Sequence, residues 1–323
     1  MNIKIFTHFM PWEIDYALFS YTQLKKSKYY LSEDVKITIH TVLNVSSKLI
    51  DWGGSRLPKD FFIEKYNQLS CLLKDYNYIS KIYDGDQIYG HLNFQREIID
   101  KNVDYYISVC PDMYFSEHLL YYMTESVRNI KNKYFVITPQ ICQLWDTSWD
   151  ILKHPKFDYG TCEGWQKNTD IFDVDNYLHN STEEIKLQPL NTVKWAGWFD
   201  LFNKNFYEKL APIPEEWQGY GGWDSYGMNI SNIFKRMGGD FQQYLLNGSI
   251  IFQYSVGDLN NVNYSNCQEG CSNDDVIDGF SNYYKKFIVR QDVSIQRKDF
   301  DKNLGFFIER QLNSINKNFQ YYK

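Results

Sequence analysis

The chain has 323 residues, enough for one large α/β domain or two small ones. Its formal charge of −6 and pI near 5.6 argue against nucleic-acid binding, which leaves a basic footprint. No stretch reaches the ~18 apolar residues of a transmembrane helix, and the start, MNIKIFTHFMPWEID, lacks a signal peptide's apolar core, so a cytoplasmic protein is expected.

In chain order, Ile3–Phe9 reads as a buried strand. Trp12–Lys26 reads as a helix, with Ile14, Leu18, Tyr21 and Leu24 at helical spacing. Val35–Leu43 is a second strand, closing on Asn44-Val45-Ser46-Ser47. Lys59–Lys74 is helical, and Ile79–Tyr83 is a short strand before the turn Asp84-Gly85-Asp86. A helix over Leu92–Lys101 carries Arg96 and leads into the strand Val103–Val109, which breaks at Cys110-Pro111 and is followed by Asp112. Ser116 is placed to cap a helix over Glu117–Ile130, and Tyr134–Thr138 is a strand that Pro139 should stop. Tyr159–Leu190 is polar and reads as a long loop. Thr192–Phe199 reads as a strand crossing the sheet edge, Asp224–Arg236 as a helix, and Gln242–Gln253 as one or two strands. Asn260–Asp278 is a loop, and the chain from Asn282 onward is largely helical.

This alternation predicts the α/β class: a mostly parallel twisted sheet with helices on both faces. One domain is expected over residues 1–255, with a loop and helical extension over 256–323 packed on it.

A parallel sheet gathers its strand carboxyl ends at one edge, where open α/β folds bind ligands. Thr7, His8, Asn44, Ser46 and Asp112 stand at such ends, and Arg96 opens the helix between them. That set can serve a nucleotide, with Arg96 offering a planar fork to phosphate oxygens; its alternative is a surface pairing with Glu97 or Asp100. Asp112 is either a turn acid or the ligand of a divalent metal on a diphosphate. No G-x-G-x-x-G follows the first strand and no G-x-x-x-x-G-K-[ST] occurs, which disfavours a Rossmann dehydrogenase and a P-loop NTPase.

Trp217–Met228, WQGYGGWDSYGM, interleaves glycines with aromatics around Asp224. Glycine permits close backbone approach, Trp and Tyr offer stacking faces, and Asp224 can act as a general base. Trp145 and Trp149 recur four apart, each followed by Asp, and on a helix would form one face suited to a sugar. Aromatic residues make up 18% of the chain, a composition that fits sugar stacking, although the 27 Tyr also follow the abundance of Asn, Lys and Ile. Asp200, in GWFDLF, is a second candidate base or acceptor ligand, and is expected to be a turn acid. The six cysteines are scattered, and Cys267 and Cys271 read as loop thiols because no further ligand follows to complete a zinc site.

Four segments, in order, resemble the GT-A glycosyltransferases of the family-2-like kind. Asn44-Val45-Ser46-Ser47 resembles the strand-end Asp-Asn-x-Ser that seats the base. Leu92-Asn93-Phe94-Gln95-Arg96-Glu97 resembles the helix that runs into the D-x-D strand. Cys110-Pro111-Asp112 resembles the Asn-Pro-Asp variant of D-x-D, with Cys110 where the first acid stands, and Gly221-Gly222-Trp223-Asp224 resembles the segment that opens the acceptor helix. The resemblance implies an inverting hexosyltransferase that moves a sugar from a nucleotide-sugar donor to a glycan hydroxyl. Asp224 would be the general base; Thr7, His8, Asn44, Ser46, Arg96 and Asp112 would hold the donor. Asp112 would ligate Mn²⁺ or Mg²⁺, and Trp145, Trp149, Trp198, Gly222 and Trp223 would face the sugars. The alternative is a non-catalytic carbohydrate-binding protein on a degenerate GT-A fold.

Overall fold

The structure is a computed structural model that describes residues 1–9, 14–45, 59–84, 94, 97–111, 113–143, 184–190, 199–210, 231 and 239–253. In chain order its elements are β1 (Asn2–Phe9), α1 (Ile14–Ser27), β2 (Lys36–Asn44), α2 (Lys59–Ser70), β3 (Asn77–Tyr83), β4 (Tyr105–Val109), β5 (Met113–Tyr114), α3 (Leu119–Val127), β6 (Tyr134–Gln143), β7 (Lys186–Leu190), β8 (Phe199–Asn203), α4 (Lys204–Leu210) and β9 (Phe241–Gln253). Short 3-10 turns at Lys28–Tyr30 and Cys71–Leu73 extend α1 and α2.

Among the described residues, nine strands form one sheet in the order β3-β2-β1-β4-β8-β6-β9-β5, with β7 also on β9. The half from β3 to β4 is parallel throughout, with β1 in register with β2 on one side and β4 on the other. Beyond it, β8 runs antiparallel to both β4 and β6. β6 and β9 are parallel, while β5 and β7 are antiparallel to β9. The α/β class expected from the sequence is therefore the fold observed, with its antiparallel strands gathered in the half beyond β4.

Both faces of the sheet are covered, because strand side chains alternate with a period of two. On one face Ile3, Ile5, Phe9, Ile39, Leu43, Ile107, Val109 and Leu201 pack under α1, α2 and α3. The stripe of α1 that meets them is Ile14, Ala17, Tyr21 and Leu24. Leu18, expected in that stripe, is half exposed: Ala17 lies on the buried arc, and its neighbour is turned away from it. On the other face Phe6, Tyr106 and Phe202 meet Phe94 and Tyr207. The Tyr106 and Tyr207 rings stack with centroids 4.1 Å apart. Phe6 meets Phe94 and Tyr207 edge-on, at 6.1 and 5.7 Å.

Hydroxyls tie α2 to the sheet. Thr41 Oγ1 lies 2.5 Å from Tyr66 OH and 2.8 Å from Tyr78 OH, and Ser70 Oγ lies 2.9 Å from Tyr78 OH. Burial raises the Tyr66 hydroxyl far above the usual phenol range, so it stays a neutral hydrogen-bonding group.

Several boundaries differ from those the sequence predicts. Pro139 does not stop its strand: β6 continues to Gln143, and its register against β9 shifts between Pro139 and Gln140. Proline has no N–H for the ladder, and a bulge accommodates the loss. The expected polar loop over Tyr159–Leu190 ends in a strand, β7. The strand expected over Thr192–Phe199 begins at Phe199 among the described residues and runs to Asn203. Ser116 Oγ accepts from the His118 N–H at 3.3 Å, and the helix proper starts at Leu119. The expected 224–236 helix lies outside the described residues except for Ser231, and so does the 256–323 extension.

Gly248 completes the bulge. It adopts φ +87, its N–H donates to Gln140 Oε1 at 2.8 Å, and a Cβ there would come within 2.6 Å of Glu184 O. Gly248→Ala is expected to lower the unfolding free energy by about 1–3 kcal/mol in urea titrations, through a left-handed backbone and a backbone clash. An unchanged midpoint would contradict this account of the bulge.

Candidate functional site

β2 extends the sheet from one side of β1 and β4 from the other, so the order of strands reverses at β1. At such a reversal the loops after the two flanking strands leave in opposite directions and open a crevice at the carboxyl ends. Those ends are Thr7, His8 and Phe9 on β1, Asn44 on β2 and Val109 on β4.

Beneath this edge, on the sheet face opposite α1, runs a row of buried polar side chains. Asn44 comes from β2, His8 from β1, Ser108 from β4, Asp200 from β8, Thr138 from β6 and Gln243 from β9. Register sets their adjacency: Ser108 stands opposite Phe6 on one side and Asp200 on the other. His8 follows Phe6 by two along the same face. Gln243 Nε2 donates to Thr138 Oγ1 at 3.0 Å. Burying polar groups costs free energy unless each finds a partner, so a polar row where apolar side chains would pack is a candidate for a site.

Of the residues expected at the site, three are described. His8 and Asn44 belong to the row. Thr7 is buried on the opposite face, toward α1 with Ile5 and Phe9, because adjacent strand residues point to opposite faces. Asp200 is not a turn acid. It is 3% exposed within β8, opposite Ser108. Ser46, Arg96, Asp112, Trp145, Trp149, Trp198, Gly222, Trp223 and Asp224 lie outside the described residues.

What surrounds two of these positions is described. The acids that could have paired with Arg96 on the surface have lysine partners: Glu97 lies 2.7 Å from Lys81 Nζ and Asp100 lies 3.5 Å from Lys4 Nζ. On either side of Asp112, Pro111 and Met113 are buried, and the carbonyl oxygen of each lies 2.7 Å from Ser20 Oγ on α1. Cys110 is half-buried and forms no disulfide. Among the described residues no group of three or more His, Cys, Asp or Glu side chains is placed to hold a metal. No described helix is long and apolar enough to cross a membrane.

Ser108, Asp200, Thr138 and Gln243 complete the row, and of these only Asp200 carries an expectation from the sequence. Their signal there is a polar residue at an inward position of an apolar strand, as in YYISV and FDLFN.

No family model matches the chain, and no curated protein matches it in sequence. Solved structures similar to it include GalNAc-T7 with UDP, GalNAc and Mn²⁺, at 11% identity over 78% of this chain and 44% of that one, with a TM-score of 0.45. This chain thus spans less than half of GalNAc-T7. S. aureus TarS residues 1–349 in complex with UDP-GlcNAc is 10% identical over 93% of this chain and 77% of that one, TM-score 0.41. The inositol-1-phosphate CTP transferase from T. maritima is 11% identical over 84% and 97%, TM-score 0.39.

His40, on the same sheet face and edge-on to Phe94 at 5.1 Å, titrates below the usual imidazole range. Burial is the main cause, and the Lys4 ammonium adds to it. A depressed pKa leaves the folded chain with fewer protons than the unfolded chain, so this contribution to stability is full above the ordinary value of about 6.5 and is lost as pH falls from there through the lower folded value. Unfolding free energy should therefore decline between about pH 7.5 and 5.5, and decline less in His40→Gln. Equal slopes for the two proteins in urea titrations across that window would contradict the assignment.

Proposed function

We propose that the chain is a nucleotide-sugar-dependent glycosyltransferase of the hexosyl-transferring kind, acting with inversion on a glycan hydroxyl. The observation that carries this reading is the reversal of strand order at β1 above a buried polar row containing His8, Asn44 and Asp200. The strand-order reversal with a few polar groups nearby supports a ligand-site reading, because open α/β folds bind ligands at such points. The ordered resemblance of Asn44-Val45-Ser46-Ser47, Arg96, Cys110-Pro111-Asp112 and Gly221-Gly222-Trp223-Asp224 to GT-A segments supports a nucleotide sugar as the ligand.

In this reading Asp224 takes the proton of the acceptor hydroxyl. The acceptor oxygen attacks the anomeric carbon from the side opposite the diphosphate. The bond from that carbon to the diphosphate oxygen breaks, and the nucleoside diphosphate leaves with the electron pair. Arg96 offsets charge on the diphosphate, and Asn44 and Ser46 seat the base and ribose. Asp112 would be the chain's ligand for a divalent cation on the diphosphate, its carboxylate being the hard oxygen donor that Mn²⁺ and Mg²⁺ prefer. Cys110 is a soft donor and does not suit such an ion. When bound, the cation neutralises charge that develops on the leaving group. Trp145, Trp149, Trp198, Gly222 and Trp223 line the sugar path.

Cys110 in place of an acid favours a second reading, a carbohydrate-binding protein without turnover. Thermal unfolding with UDP, GDP or dTDP plus Mn²⁺ separates the two. A nucleotide at about 100 times its dissociation constant should stabilise the protein by about 2.7 kcal/mol. No shift with any of the three, alongside intact glycan binding, would favour the second reading. Asp224→Asn is expected to cut turnover by about 10²- to 10⁴-fold while leaving the nucleotide shift in place; turnover at the wild-type rate would remove Asp224 as the base.

A further inference from the structure

His40 stands in the middle of β2, half-buried, on the sheet face opposite α1, with Phe6 of β1 beside it in register and Ile79 of β3 on its other side. Its ring meets Phe94 edge-on at 5.1 Å. The same Phe94 ring lies 6.1 Å from Phe6 and 6.2 Å from His8. Phe94 is fully buried, and Phe6, His8 and His40 form its seat on the sheet.

Charged groups fasten the turn that follows Phe94. Lys4 Nζ, on β1, donates to Ile98 O at 2.9 Å and lies 3.5 Å from Asp100. Lys81 Nζ, on β3, lies 2.7 Å from Glu97. The Ile98 N–H donates to Phe94 O at 3.1 Å, and the Asp100 N–H to Tyr106 OH at 2.9 Å. Register puts Thr38 opposite Lys4 and Val42 opposite Lys81, so the two lysines flank His40 diagonally on the neighbouring strands. The charged and titratable groups around His40 are thus Lys4, Lys81, Glu97 and Asp100, with His8 across the Phe94 ring. A positive charge on His40 is opposed first by burial and then by both ammoniums, and Glu97 attracts it. Asp100 stays ionised meanwhile, because the Asn102 N–H donates to its Oδ1 at 2.9 Å and holds its carboxyl below the usual range.

We propose that His40 is a pH-sensitive latch on the turn that covers this face of the sheet. The neutral ring seats Phe94 and, with Lys4 and Lys81, keeps residues 97–100 on the strands. The imidazolium unseats Phe94, releases the turn and uncovers His8. Opening takes up one proton, so it is favoured as pH falls below the ordinary imidazole value of about 6.5. The latch does not depend on the nucleotide-sugar reading. The contrary outcome is a cation that Glu97 and the Phe94 ring accommodate in place.

The test is amide hydrogen exchange of the full chain between about pH 7.5 and 5.5, expressed as protection factors so that the intrinsic pH dependence of exchange drops out. Ile98 and Asp100 report on the turn, and Ile107 in β4 reports on the whole fold. Protection at Ile98 and Asp100 should fall by up to about tenfold across that window, the ceiling for one proton and an ordinary value near 6.5, and stay below that of Ile107 throughout. His40→Gln, neutral at every pH, should abolish the fall; if it does not fold, His40→Asn takes its place. Lys4→Met should lower protection at Ile98 even at the upper pH. Wild-type protection that ignores pH means the cation is accommodated and overturns the latch. A fall of equal size in His40→Gln, or protection at Ile98 that matches Ile107 at every pH, overturns it too.

Discussion

The double pairing of β1 is the constraint from which the rest of the structure follows. It is held in parallel register on both sides, by β2 and by β4, and seven of its eight residues are buried. Once β1 is central, alternation sends Ile3, Ile5 and Phe9 to the helical layer and Phe6 and His8 to the aromatic layer beneath. The same pairing assigns every carboxyl end of the parallel half to one edge. Lys4 is the exception that the geometry accommodates. Its stem is buried on β1 while its ammonium reaches Ile98 O at 2.9 Å and Asp100 at the surface.

The reversed strand β8 then decides the chemistry of the face below. Lying antiparallel between β4 and β6, it brings Asp200 beside Ser108 and joins the two parallel groups into one sheet. The result is a set of buried polar side chains, from Asn44 to Gln243, on one face of strands that are otherwise apolar. A core selected for stability alone would place apolar side chains there, and departures of this kind concentrate where a protein binds or reacts. The aromatic layer of Phe6, Phe94, Tyr106, Phe202 and Tyr207 lies on the same face, so the polar side chains are bounded by rigid rings.

Much of this architecture is legible in the amino-acid sequence. β1, β2, β4 and β9 are apolar runs bounded by polar or turn residues, and α1 and α2 carry apolar residues at helical spacing; each lies within a few residues of its expected span. Where an element departs from its local pattern, the deciding partner is distant in sequence. Pro139 looks like a strand terminator because its missing N–H breaks a ladder. Only Gly248, more than a hundred residues away, supplies the bulge that lets the strand continue. Asp200 looks like a turn acid in GWFDLF; only β4 and β6 on either side make it a buried one. β7 is too polar to declare itself, and it exists because β9 offers an edge to pair with.

The α/β class, the run of strands and helices, and which strands end in polar residues are written in the amino-acid order. These are properties of neighbouring residues, and periodicity along the chain encodes them directly. Tertiary structure alone decided that Thr7 meets the helical layer and His8 the aromatic one. It also decided that Asn44, His8, Ser108, Asp200, Thr138 and Gln243 lie on one face, and that Ser20 reaches the carbonyls flanking Asp112. Register and strand order set those meetings, and both are fixed by pairing between segments tens to a hundred residues apart, which no local pattern records.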